Sequence, residues 1–190
     1  VKFDVILAGV GGQGILSVSA TIAWSALREG LQVKQSEVHG MAQRGGAVMS
    51  NLRLSDGPIH SDLIPRGSAD LILSMEPLES LRYLAWLKRD GTVLTATDPV
   101  RNIPDYPDLD LVLRRIRALP SARLIDAEGL ARRCALLRAS NVVMVGAASH
   151  LLPIRPATIA EQIRAMFAEK GEEVVALNLK AFEAGRETVH

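Results

Sequence analysis

The apolar run Val5-Ile6-Leu7-Ala8 passes directly into Gly9-Val10-Gly11-Gly12-Gln13-Gly14, and a helical pattern begins at Ile15. A buried strand, a glycine turn and a helix in immediate succession leave few folds open. The helix reads from Ile15 to Arg28, with Ile15, Val18, Ile22 and Leu27 at broadly helical spacing and Gly30 as its stop. Gln32 to Ser36 reads as the second strand. By default this opening is a right-handed β-α-β unit whose two strands run parallel and adjacent.

The next stretch departs from that pattern. Ala47 to Leu54 is extended, Ser55-Asp56-Gly57-Pro58 is a turn, and Ile59 to Ile64 is expected to return as a short hairpin partner. Adjacent strands with no helix between them make the sheet mixed. Alternation then resumes: strand at Asp70 to Ser74, helix from Pro77 to Leu87, strand at Thr92 to Thr97. A proline-rich stretch from Pro99 to Pro120 follows, with a short helix over Leu109 to Leu119. Arg123 to Asp126 is a further strand and Ala127 to Leu137 its helix. Asn141 to Leu152 suits a tightly packed helix, although Val142 to Val145 is also compatible with a strand. Thr158 and Glu161 have capping-box spacing before the apolar stripe Ile159, Ile163, Met166 and Phe167, and Val174, Leu177 and Ala181 begin a last helix. The expected fold is α/β: a three-layer, Rossmann-like domain with a mixed, mainly parallel sheet. Residues 1–190 read as one domain with a helical part from about 155, which could also be an annex that packs on a partner.

Composition narrows the function. Twenty-two basic against 21 acidic residues give a net charge of +1, so bulk charge points to neither nucleic acid nor an anionic membrane. Cys134 is the single cysteine, which excludes an internal disulfide and any all-cysteine cluster within the chain. Its apolar neighbours mark it as a buried structural thiol. No apolar run approaches the length of a membrane span, and no secretory pattern opens the chain, so a cytoplasmic protein is expected.

Two segments stand out as candidate sites. Gly9, Gly11 and Gly14 fit the dinucleotide spacing, and Glu37 stands near the position of a ribose-binding acid. The Gly12-Gln13 core is unusual, so three readings stay open: a bound dinucleotide, a structural tight turn, or a site for another ligand or a partner's cofactor. The second segment is His39-Gly40-Met41-Ala42-Gln43-Arg44-Gly45-Gly46. Its glycines permit close approach by another molecule, and Arg44 can present a guanidinium fork to a phosphate or carboxylate. No carboxylate is visibly placed to orient His39, which favours a hydrogen-bonding or interface role. Glu76 either faces the ligand crevice or caps the helix that follows, and capping is the simpler reading. The histidines at 60, 150 and 190 make no metal-ligand spacing, and no nucleophile elbow, P-loop lysine or zincin motif is present. No catalytic residue is assigned.

Taken in order, "GVGGQGILSVSATIAWSAL", "SEVHGMAQRGGAVMSNLRL", "ADLILSMEPLESLRYLAWL" and "SNVVMVGAASHLLPI" resemble the gamma-type subunits or domains of 2-oxoacid:ferredoxin oxidoreductases. The resemblance runs from Phe3 to about Gly185. The residues before the shared Arg44-Gly45-Gly46, namely His39, Met41, Ala42 and Gln43, resemble the indolepyruvate branch. The resemblance implies a non-autonomous subunit, inactive in isolation, of a thiamine-dependent enzyme that oxidatively decarboxylates arylpyruvates to aryl-acetyl-CoA and reduces ferredoxin. It places thiamine diphosphate and the iron–sulfur clusters on a large (alpha) subunit, with CoA as co-substrate and no cofactor or metal held by this chain alone. It also implies that Gly11, Gly12, Gln13, Gly14, His39, Gln43, Arg44, Gly45 and Gly46 face a cofactor or the partner. Two other readings compete. One is a stand-alone NAD(P)- or flavin-binding oxidoreductase using the glycine turn and Glu37; the other is a non-catalytic assembly module.

Overall fold

In the computed structural model, residues 1–39, 45–101, 103–136 and 138–188 are described. Strands β1 (Lys2–Val10), β2 (Gln32–His39), β3 (Ala47–Ser55), β4 (Ala69–Ser74), β5 (Leu87–Ala96) and β6 (Ala122–Ile125) form one sheet in the order β2-β3-β1-β4-β5-β6. Only β3 runs against the rest: it pairs antiparallel with both β1 and β2, whereas β1-β4, β4-β5 and β5-β6 are parallel.

This order corrects the expectation that the first two strands are adjacent. β1 and β2 point the same way, but β3 lies between them. Composition explains the exchange. β2 is polar, with Lys34 and Gln35 exposed, and suits the rim of a sheet. β3 carries Val48, Leu52 and Leu54, all buried, and suits the interior.

The expected return strand at 59–64 does not form. Pro58 cannot donate to a ladder, and side chains bind the backbone there instead. The Arg53 guanidinium donates to the carbonyls of Ser61 (3.1 Å) and Leu63 (3.0 Å), and the Ile64 N–H donates to Asn51 Oδ1 at 3.1 Å. Arg53 is itself fixed by the buried Asp4 carboxylate through two hydrogen bonds of 2.8 and 3.1 Å.

Helices α1 (Ile15–Arg28), α2 (Pro77–Arg82), α3 (Leu109–Arg117), α4 (Ala127–Arg133), α5 (Ser140–Ala148), α6 (Pro156–Phe167) and α7 (Glu172–Arg186) cover the sheet on two sides. Alternation along β1 sends Val5 and Leu7 into one core with α1 and α4 to α7, and Ile6 and Ala8 into another with α2 and α3. Cys134 is buried in the first. The architecture is the expected three-layer α/β domain with a mixed, mainly parallel sheet.

Local differences have local causes. The helix read as Pro77 to Leu87 ends at Arg82 and continues as a 3₁₀ turn at Leu84–Trp86. Gly67 donates to the Ala85 carbonyl at 2.9 Å and Arg66 stacks on the Trp86 ring, which pins that turn. The segment at Ser140–Ala148 is a helix and not a strand, and it crosses α7 closely: a Cβ at Gly146 would lie 2.0 Å from the Phe182 carbonyl oxygen. The Thr158–Glu161 capping box is absent, because α6 starts earlier, with Pro156 in its first turn. Glu29, just past the end of α1, takes over that end of α6. Its Oε1 accepts from the Arg155 N–H (3.0 Å), the Arg155 guanidinium (3.0 Å) and the Thr158 hydroxyl (2.6 Å).

Candidate functional site

The parallel strands bring their carboxyl ends to one edge of the sheet. There the chain leaves β1 for α1 on one face and leaves β4 for α2 on the other. That divergence makes the gap between β1 and β4 the topological switch point, where open α/β sheets form their ligand crevice.

Gln13 spans this gap. Its Oε1 accepts from the Val10 N–H at 2.8 Å, and its Nε2 donates to the Met75 carbonyl at 2.9 Å. The Met75 N–H in turn donates to the Ala8 carbonyl at 2.9 Å. Both ends of the Gln13 amide are therefore used in joining the turn after β1 to the turn after β4.

Gly14 opens α1 from a left-handed conformation, with φ at 78°, and among the described residues no side chain caps the helix there. The first-turn N–H groups of a helix have no intrahelical acceptor, so they present partial positive charge. Glycine suits position 14 chiefly for its backbone, and a side chain there would also displace the Asn141 amide. The left-handed φ disfavours a side chain, and a Cβ would lie 2.8 Å from Asn141 Nδ2. Asn141, in the first turn of α5, thus joins the turn although nothing near it in sequence announces a site.

The second glycine segment meets the first: the Gly11 N–H donates to the Gly46 carbonyl at 2.9 Å. His39 ends β2, where its backbone pairs with Val48, and its side chain is outside the described residues. Gln43 and Arg44 also lie outside them. Gly12 and Gly45 both have positive φ, and among the described residues nothing stands within 4 Å of where a Cβ would be at either. Glu37 lies on β2 opposite Ser50, two strands away from β1. The dinucleotide arrangement, with the acid on the strand next to the glycine turn, is not reproduced.

Glu76 extends the rim. Its carboxylate accepts from the Glu79 N–H at 2.8 Å and caps α2, as the position before Pro77 leads one to expect. It also receives the Tyr106 hydroxyl and the Val100 N–H, the latter at 3.4 Å. One side chain, 1% exposed, therefore ties the segment after β5 to the turn after β4. Burial pushes the Glu76 carboxyl above the ordinary carboxylate range, against the pull of the hydrogen bonds from Tyr106, Glu79 and Val100. Burial, and then Glu76 itself, raise the Tyr106 hydroxyl far above its usual value. Tyr106 and Val100 lie in a proline-rich loop that shows no pattern in sequence, so only the tertiary structure reveals their roles.

A second concavity lies at the opposite edge. A cleft with about 340 Å³ of space is lined by Lys2, Asp4, Arg53, His60 and Ser61 among others. Arg53 is spent there on Asp4 and the carbonyls of the 58–64 segment, which makes its role structural. Among the described residues no group of three or more His, Cys, Asp or Glu is placed to hold a metal, and no helix is long and apolar enough to cross a membrane.

Comparison with known proteins agrees with this geometry. Residues 4–188 match the family model described as pyruvate ferredoxin/flavodoxin oxidoreductase. The indolepyruvate oxidoreductase subunit IorB of Thermococcus kodakarensis is 36% identical over 97% of this chain and 94% of its own. Among solved structures, the 2-oxoglutarate:ferredoxin oxidoreductase from Magnetococcus marinus, with 2-oxoglutarate, coenzyme A and succinyl-CoA bound, superposes with a TM-score of 0.80 at 26% identity. That match takes in 99% of this chain and 31% of the longer one. The pyruvate oxidoreductase subunit PORC from Thermotoga maritima shares the fold, with a TM-score of 0.78 at 22% identity over 100% of this chain and 97% of its own.

Proposed function

The chain belongs to the pyruvate ferredoxin/flavodoxin oxidoreductase family, and from that premise we propose that it is the small, gamma-type subunit of an indolepyruvate:ferredoxin oxidoreductase. The complex would convert an arylpyruvate and CoA to aryl-acetyl-CoA and carbon dioxide, passing two electrons to ferredoxin in the cytoplasm. The observation that carries this reading is the near end-to-end match to the archaeal indolepyruvate oxidoreductase subunit, with both chains covered almost completely.

The chain's own residues support a division of labour. A cysteine-ligated iron–sulfur cluster requires several thiolates, and the sole cysteine, Cys134, is buried among aliphatic side chains. The residues of this chain do not fit such a cluster, and the proposal leaves both the clusters and thiamine diphosphate to a large subunit. The small subunit contributes the rim at the carboxyl edge. There the first-turn amides of α1 and the guanidinium of Arg44 would meet a CoA phosphate or a carboxylate of the large subunit.

The test is reconstitution. Co-expression with the cognate large subunit should yield a stable complex that reduces a dye only when both an arylpyruvate and CoA are supplied. Each subunit alone should be inactive. Turnover by this chain alone, or stoichiometric iron or thiamine diphosphate in it without the partner, would overturn the reading.

A further inference from the structure

Residues 15–27, almost the whole of α1, contain no charged side chain. For a surface helix this is unusual, because the face turned to water normally carries charge. Apart from α5, which is uncharged but buried from Val142 to Ala148, the other helices follow the rule: α3 turns Arg114, Arg115 and Arg117 outward, and α7 carries Glu172, Glu173, Lys180 and Glu183. α1 buries Ile15, Val18, Ile22 and Ala26 in the core. Its flank towards α6 is also occupied, with the Thr21 hydroxyl on Met166 Sδ and Arg28 donating to Gln162 at 2.9 Å. The remaining face exposes Leu16 (50%), Trp24 (58%) and Leu27 (46%), at spacings of eight and three residues that keep them on one stripe.

We propose that this stripe is the docking face for the large subunit, with Trp24 as its central anchor. The inference rests on the reading of the chain as a subunit and adds the surface by which it binds. Three observations choose the occupant. The stripe begins at Leu16, two residues beyond Gly14, and is therefore continuous with the candidate rim. A face depleted of charge and carrying an aromatic residue has the composition of an interface core, where tryptophan is enriched among the residues that dominate affinity. In the Magnetococcus marinus protein the same fold is 31% of one longer polypeptide, so the module there is joined covalently to a larger body. Where the unit is a subunit polypeptide, as in the Thermococcus kodakarensis IorB that this chain matches over 94% of its length, the attachment is made by contact. The matching surface on the large subunit is apolar, with a pocket for the indole ring and an acceptor for its N–H.

The test compares Trp24→Ala and Trp24→Glu with Leu111→Ala, which removes an exposed leucine from α3 in the opposite layer. Affinity for the co-expressed large subunit is measured, together with the melting temperature and the light-scattering mass of each isolated chain. The expected result is association at least about thirtyfold weaker for both Trp24 variants. Their melting temperatures and the affinity of Leu111→Ala should stay close to wild type. Wild-type binding that survives Trp24→Glu within about twofold would overturn the docking face and leave the subunit reading intact. Failure of the wild-type chain to bind the large subunit would overturn both. An isolated wild-type dimer that Trp24→Glu converts to monomers would assign the face to a second copy of this chain and overturn the proposal.

Discussion

Gln13 and Met75, 62 residues apart, are joined across the switch point by a hydrogen bond of 2.9 Å from the amide to the carbonyl. With its other end on the Val10 N–H, the Gln13 side chain occupies the gap in which a dinucleotide-binding protein of this topology would place its ligand. The glycine turn is therefore held from inside. Gln13 acts as a strut, not as a group reaching outward.

Gln13→Ala should lower the stability of the isolated chain by about 1–3 kcal/mol, because it strips partners from a part-buried N–H and a part-buried carbonyl at once. Gln13→Glu retains the acceptor for Val10 but sets a carboxylate oxygen against the Met75 carbonyl, so it should not restore stability. Urea unfolding of the three proteins checks this. A wild-type midpoint in Gln13→Ala would show that the strut carries no weight.

Glu76 gives the chain a pH signature. Its folded-state carboxyl titrates above the ordinary range because it is buried. The stabilisation from the proton it retains is complete below the unfolded carboxylate range and is lost as pH rises through the raised folded value. Glu76→Gln carries no such proton and retains one acceptor for the α2 cap. Relative to wild type, the variant should therefore gain stability as pH rises from about 4 to about 7. Unfolding free energies of both proteins across that range decide it, and a constant difference would refute the assignment.

Glu29 should behave in the opposite sense. Burial works against its charge, but hydrogen bonds from Thr158 and from the Arg155 backbone and side chain prevail and hold its carboxyl below the usual range. Its stabilising contribution is present above the unfolded value and lost as pH falls through the lowered folded one. Glu29→Gln should be less stable than wild type at neutral pH, and the gap should close in acid. A gap that persists in acid would mean that Glu29 acts through shape alone.

Arg44→Ala tests the proposed rim. The loss of a charge-assisted contact costs about 1.5–3 kcal/mol, so large-subunit affinity or the apparent Michaelis constant for CoA should worsen by roughly tenfold to a hundredfold. The melting temperature of the isolated chain should barely change. A fall in melting temperature alone would make Arg44 structural.

How much of this was legible in the sequence depends on how local each cause is. α1 and its glycine turn were readable because their residues are contiguous, and the helix runs from Ile15 to Arg28 as the spacing predicts. The Glu76 cap was readable because Pro77 marks the first turn of α2. The polar character of β2 beside the apolar β3 held the correct strand order in plain sight, but the β-α-β default obscured it. Other features were beyond local reading. The carbonyls bound by Arg53, the pressure of Asn141 on Gly14 and the displacement of a Thr158 capping box by Glu29 all join residues far apart in the chain. Gln13 stood out in the sequence as a candidate, but its hydrogen bond across to Met75 could not be read there.

The place of β1 in the sheet has a consequence for how the chain folds during synthesis. Of the six strands β1 is made first, and both of its partners, β3 and β4, are made later. Its two ladders cannot be completed until residue 74 has emerged, so an apolar strand must wait unpaired. The β2–β3 pair is the first that can close, because its strands are neighbours in sequence. That hairpin then offers β1 a template on one side before β4 arrives on the other. The reversed strand, which looks like an interruption of a parallel sheet, shortens the time for which a largely buried strand has nothing to pair with.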